Sequence, residues 1–212
     1  MQWQLREFDS VLKDRIASGL HFSPFFSQIL VNRGIDSPEK AFYFLYGQLE
    51  NTPSPFLFKD MEKTTQYLKN LILEKKPLYI VGDKDVDGMT GAAIFYSFFK
   101  QAGLPSIYWS LPTKEEPYGF SERLYQEILS TPKLDTVITV DCGIKEQEFI
   151  CKLNQNHVKT IITDHHTPDK DLPQAFSIIN PHLEEPYRMD YLSGAAVALK
   201  VVQGLYFSFH EF

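Results

Sequence analysis

The chain has 212 residues, with 21 Lys and Arg against 27 Asp and Glu, giving a formal net charge of −6. That length buries a sizeable core as one large domain or two small ones, and 43% apolar with 23% charged residues excludes a disordered chain. The acidic balance excludes a simple electrostatic sheath for nucleic acid, but not an enzyme whose carboxylates surround metal ions. Two cysteines, Cys142 and Cys151, make neither a disulfide framework nor a zinc ribbon, and reduced thiols of a cytoplasmic protein are expected. The opening MQWQLREFDSVLKDR lacks the apolar stretch of a signal peptide, and no apolar run reaches bilayer-spanning length. A soluble protein with no membrane partner is the expectation.

Phe8, Val11, Leu12 and Ile16 recur at helical spacing and stop near Gly19. Two short helices follow with matching punctuation: Ser23-Pro24 to Gly34, and Ser37-Pro38 to Gly47. Serine caps the free N–H groups, proline fits the first turn, and glycine ends the helix. A proline-rich connector occupies 50–57, and a helix is predicted from Asp60 to Glu74. The pattern then changes. Apolar runs at 78–81, 106–111, 136–140, 158–163 and 176–179 read as strands, separated by helices at 89–101, near 121–130 and at 145–155, with a last helix at 192–207. This alternation predicts an α/β fold: a mostly parallel sheet with helices on both faces, behind a helical N-terminal lead. The expected division is a lead over 1–57 and the sheet domain over 58–212.

Three predicted strands run into unusual chemistry: Gly82-Asp83-Lys84-Asp85-Val86-Asp87-Gly88, Asp141-Cys142-Gly143 and Asp164-His165-His166. Ligands of open parallel sheets bind beyond the carboxyl ends of the strands, so five aspartates and two histidines are expected in one crevice. Carboxylates at such density repel unless cations lie among them. Mixed carboxylate and imidazole donors suit Mn²⁺, Fe²⁺ or Zn²⁺ better than Ca²⁺, and two ions could clamp a phosphoryl group. The acidic loop matches the opening of a calcium-binding EF-hand, but its twelfth position is Ile94 rather than Glu and a strand precedes it. It has neither a P-loop nor a dinucleotide-binding glycine pattern. A solvated turn with a helix cap is the competing reading, and Asp87 is assigned in part to such a cap. Three alternating aspartates behind an apolar strand exceed what a cap requires. Cys142 is expected to fill a tight turn rather than ligate.

VGDKDVDGMTG, VDCGI and TDHH, in this order and on these strands, resemble the motifs of the DHH phosphoesterase superfamily, and within it the RecJ-like exonucleases. LVNRGIDSPEKAFYFL and PFLFKDMEK resemble that family's N-terminal lead, PYGFSE its EGYGLS segment, INPH its NPH segment and SGAAVALK its CGAGVAFK segment. The resemblance implies metal ligation by Asp83, Asp85, Asp87, Asp141 and His165, with Asp141 bridging two ions. It places His166 near the scissile phosphate and makes Asp164 the carboxylate that orients the neighbouring histidine. Lys114 falls where the family carries a basic residue near phosphate, and His182 lies in the NPH-like segment. Ser193 and Gly194 open a helix whose N–H groups are expected to hold phosphate. The chain departs from the family at Lys84 for Tyr, Cys142 for Asn, Pro117 for Gly and Ala196 for Gly. The family's further metal-binding Asp, in a GTVAD-like motif, and its second domain would lie beyond Phe212, so a truncated form is expected.

The implied activity is 5′→3′ hydrolysis of single-stranded DNA with two Mn²⁺ or Mg²⁺ ions, in recombination and DNA repair. The alternatives are a DHH phosphodiesterase of short oligonucleotides or cyclic dinucleotides, and a non-catalytic RecJ-like scaffold. Single-strand-binding or replication proteins are the implied protein partners.

Overall fold

The computed structural model describes residues 9–49, 52–183 and 192–210, and the chain forms two compact units, 1–53 and 54–212. The first unit contains α1 (Ser10–Leu20), α2 (Pro24–Asn32) and α3 (Pro38–Tyr46). The side chains of Asp9, Ser23 and Ser37 accept from the N–H groups of Leu12, Phe26 and Lys40, so each helix starts at a local cap. Ile16, Leu30, Ile35 and Ala41 form its core. α1 runs past Gly19 and ends on His21 at φ 56°, while Gly34 (φ 81°) closes α2. Phe8 and residues 50 and 51 of the expected connector lie outside the described residues; Pro55–Leu57 forms one 3-10 turn.

The second unit follows as α4 (Met61–Leu73), β1 (Leu78–Gly82), α5 (Val86–Gln101), β2 (Ile107–Ser110), α6 (Glu122–Ser130), β3 (Thr136–Val140), α7 (Gln147–Gln155), β4 (Lys159–Thr163), β5 (Ser177–Ile179) and α8 (Gly194–His210). All the strands pair in parallel in the order β2-β1-β3-β4-β5. Strand periodicity sorts their side chains between two apolar layers. Leu78, Ile80, Ile138, Val140, Ile161 and Ile179 pack with α4, α5 and α8, whereas Tyr79, Val81 and Val137 pack with α6 and α7. The expected parallel sheet with helices on both faces is thus observed.

The order of the strands reverses between β1 and β3. The chain moves outward from β1 to β2, then returns to place β3 on the other side of β1. A crevice opens at such a switch point, beyond the carboxyl ends of the two strands. Asp83 follows β1 and Asp141 follows β3, so both stand at its mouth.

The ladder continues one residue past three strands. The N–H groups of Asp83, Asp141 and Asp164 donate to the carbonyls of Val140, Thr163 and Ile179, at 3.1, 2.9 and 3.1 Å. Each acceptor is the last residue of the neighbouring strand. The three aspartates are therefore fixed as a row by sheet register.

Candidate metal centre

Asp141 lies at the centre of the row. It is 2% exposed, and its backbone adopts φ 61°, a left-handed conformation uncommon for a residue with a side chain. Its Oδ1 is buried with no hydrogen-bond partner, 3.1 Å from His165 Nε2 and 4.0 Å from His166 Nδ1. His165 Nε2 is also 3.7 Å from Asp87 Oδ2. Burial, then the charges of Asp87 and Asp85, push the Asp141 carboxyl up to about 8. An orphaned buried oxygen grouped with imidazole and carboxylate donors is the chemistry of a divalent-cation site. Asp141, His165 and His166 each offer a ligand atom, all within 4.8 Å of one another. This mixed carboxylate and imidazole set fits a divalent transition-metal ion such as Mn²⁺.

Asp164 is buried and organises the two histidines. Its Oδ1 accepts from the N–H groups of His165 (2.7 Å) and His166 (3.1 Å) and pairs with His166 Nδ1 at 2.8 Å; its Oδ2 accepts from Ile144 N at 3.0 Å. Burial opposes its ionisation, yet the bonds from His166 and Ile144 outweigh burial and hold its carboxyl below the usual range. The same contact raises the His166 pKa, against the effect of burial. With Nδ1 engaged, Nε2 is the His166 atom left for a ligand.

The acidic loop divides its three carboxylates among different tasks. Asp83, 4% exposed, accepts at Oδ1 from Lys84 N (2.7 Å) and Gly119 N (3.4 Å), and burial raises its pKa. Exposed Asp85 accepts at Oδ1 from the N–H groups of Asp87 (3.0 Å) and Gly88 (3.1 Å). That cap starts α5 at Val86, three residues earlier than the sequence predicts, and the cap is Asp85 rather than Asp87.

Asp87 instead reaches α8, where its Oδ2 and Oδ1 accept from Gly194 N (2.7 Å) and Ala195 N (2.8 Å). Ser193 Oγ accepts from Ala196 N at 3.3 Å. The free amides of the first turn of α8 are therefore already engaged, which corrects the expectation that Ser193 and Gly194 offer them to phosphate. Gly194 serves close approach: a Cβ there would lie 2.5 Å from Asp141 Oδ1.

A cavity of about 220 Å³ opens beside the cluster, lined by Asp83, Asp85, Tyr118, Gly119, Asp141, Lys145, Glu146, Asp164 and His166 among others. Lys114 is exposed and is not among these residues; the lysine lining the cavity is Lys145. The His182 side chain is exposed, and its backbone N–H donates to Asn180 Oδ1 at 2.9 Å. Asn180 makes the contact with the histidine segment, donating to the His166 carbonyl at 3.0 Å. Sequence reading left Lys145 and Glu146 out of the site. Their place just after Asp141, at the start of α7, is the signal that could have found them. Buried Cys142 packs in the apolar layer of α6 and α7, as expected of a space-filling residue.

Residues 77–211 match the DHH family, N-terminal domain. The chain is 28% identical over 208 residues, 97% of its length, to the single-stranded-DNA-specific exonuclease RecJ of Bacillus subtilis, of which it spans 26%. Among solved structures it is similar to exonuclease RecJ bound to manganese (29% identity, TM-score 0.68, covering 74% of this chain and 40% of that one). The fold is also shared with RecJ from Thermus thermophilus in complex with Mn²⁺ (24% identity, TM-score 0.73, covering 94% of this chain and 28% of that one). With well over half of its residues matched by the family model, the chain belongs to the DHH family.

Proposed function

We propose that this chain carries the catalytic centre of a metal-dependent nuclease that hydrolyses phosphodiester bonds of single-stranded DNA from the 5′ end. The observation that carries the reading is the buried, unpartnered Asp141 Oδ1 beside His165 Nε2 at the sheet's switch point. Asp83, Asp85, Asp87, Asp141 and His165 would hold one or two Mn²⁺ or Mg²⁺ ions. Such ions polarise a phosphoryl group and acidify water.

The remaining chemistry belongs to the chain. Asp164 orients His166 and favours its protonated form, so His166 Nε2 can donate to the phosphoryl group as negative charge develops. Lys145 supplies a further positive charge at the cavity rim. Relatives that act on single-stranded DNA, together with a manganese-bound structural neighbour, support the choice of substrate and metal.

End-labelled single-stranded DNA, duplex DNA and a dinucleotide, each with Mn²⁺, test the reading. Stepwise loss from the 5′ end of the single strand is expected. Cleavage of the dinucleotide alone would redirect the assignment to a small-phosphodiester hydrolase, and no cleavage of any substrate would leave a binding scaffold.

A further inference from the structure

Lys84 stands between two acidic residues, Asp83 and Asp85, yet its ammonium group is engaged elsewhere in the chain. Nζ donates to the Glu116 carbonyl and lies 4.5 Å from the centroid of the Tyr118 ring. Both partners belong to the irregular segment between β2 and α6. That segment is closed at its base, where the Glu116 carboxylate accepts from Thr113 N (2.7 Å), Ser121 Oγ (2.6 Å) and Arg123 Nη2 (2.7 Å). Arg123 Nη2 also donates to the Leu111 carbonyl at 2.9 Å. On the cavity side, Asp83 Oδ1 accepts from Gly119 N, so residues 83 and 84 grip the wall at adjacent points. Tyr118 lines the cavity and remains 63% exposed.

We propose that Lys84 is a positioning residue that holds Tyr118 as a platform for the sugar or base of the nucleotide whose phosphate enters the cavity. The platform rests on the nuclease reading above; the clasp itself does not. An irregular segment left free would be ordered only on binding, at a cost to affinity. Fixing it from the metal-binding loop ties the ring's position to that of the carboxylates. An aromatic face accepts any base, as an exonuclease without sequence preference requires.

Hydrogen exchange at residues 116–119, together with steady-state kinetics on single-stranded DNA, tests this in Lys84→Met and Lys84→Arg. Lys84→Met keeps the apolar stem but loses the donor and the charge. It is expected to speed exchange in this segment and raise KM roughly tenfold, with kcat and calorimetric Mn²⁺ affinity little changed. Lys84→Arg is expected to restore both readouts. In a Tyr118→Ala background, Lys84→Met should add no further rise in KM. Unchanged exchange in Lys84→Met would overturn the clasp. Faster exchange with an unchanged KM would overturn the platform. Absence of hydrolysis by the unsubstituted chain, with the exchange difference intact, would overturn the nuclease reading and leave the clasp standing.

Discussion

Asp141 concentrates the costs of the site: burial, a left-handed backbone and neighbouring like charges. Its carboxyl titrates from 3.8 in the unfolded chain and from about 8 in the fold. Between these values the folded chain holds a proton that the unfolded chain has released, so metal-free stability falls as pH rises through this window. His166, with its raised pKa, acts in the same direction, losing its contribution as pH rises through its folded value. Thermal unfolding in chelator should therefore show a lower melting temperature at pH 8 than at pH 5. Mn²⁺ should reverse the trend, because a cation displaces the proton. Asp141→Asn should flatten the metal-free profile and abolish Mn²⁺ binding; an unaltered pH profile in this variant would refute the assignment. In the sequence Asp141 is marked as a ligand by the acidic and histidine residues expected at two other strand ends, not by its own neighbours. Its burial and its unpartnered oxygen arise from Gly194 and His165 closing over it, and neither contact is encoded locally.

The contact of α5 with α8 makes the site a property of paired elements. Asp87 leaves the first turn of α5 to cap α8, and Gly91 lets the helices approach, since a Cβ there would lie 3.2 Å from Ala195 Cα. Asp87→Ala removes both acceptors of the α8 amides and should cost about 1–2 kcal/mol in urea unfolding. Asp87→Asn keeps one acceptor and should cost less, while weakening Mn²⁺ binding similarly. Equal destabilisation by both variants would show that the carboxylate acts only through its charge. Gly194→Ala should drive a methyl into Asp141, at a cost of roughly 1–3 kcal/mol, with reduced Mn²⁺ affinity. The helices and strands themselves were legible, since their caps, prolines and apolar runs are local signals. The start of α5 was not legible because Asp85 reads in the sequence as a ligand alone, whereas in the fold its Oδ1 also caps the helix. The engagement of the α8 N-terminus was illegible for a different reason: its partner lies more than 100 residues away.

At the scale of the molecule, the order of the strands decides what the acidic charge does. A parallel sheet does not reveal its strand order through local periodicity. The alternation of strands and helices gave the class of fold, whereas the position of the switch point between β1 and β3 required the structure. That order gathers Asp83, Asp85, Asp141, Glu146 and Asp164 around a cavity whose lining, among the described residues, has Lys145 and His166 as its cationic groups. With a net charge of −6 the chain as a whole also repels a polyanion. Under the nuclease reading, divalent ions would have to reverse the local field for phosphate to enter. Binding of a labelled, hydrolysis-resistant phosphorothioate strand should then be undetectable in chelator and rise with Mn²⁺ over the range that titrates the centre. Because Lys145 and His166 are the cationic groups among the described residues lining the cavity, the loss of affinity with added salt should be shallow compared with that of a basic DNA-binding domain. Binding of equal strength in chelator and in Mn²⁺ would mean that the strand is held elsewhere on the molecule, and the acidic cavity would lose its claim to the phosphate.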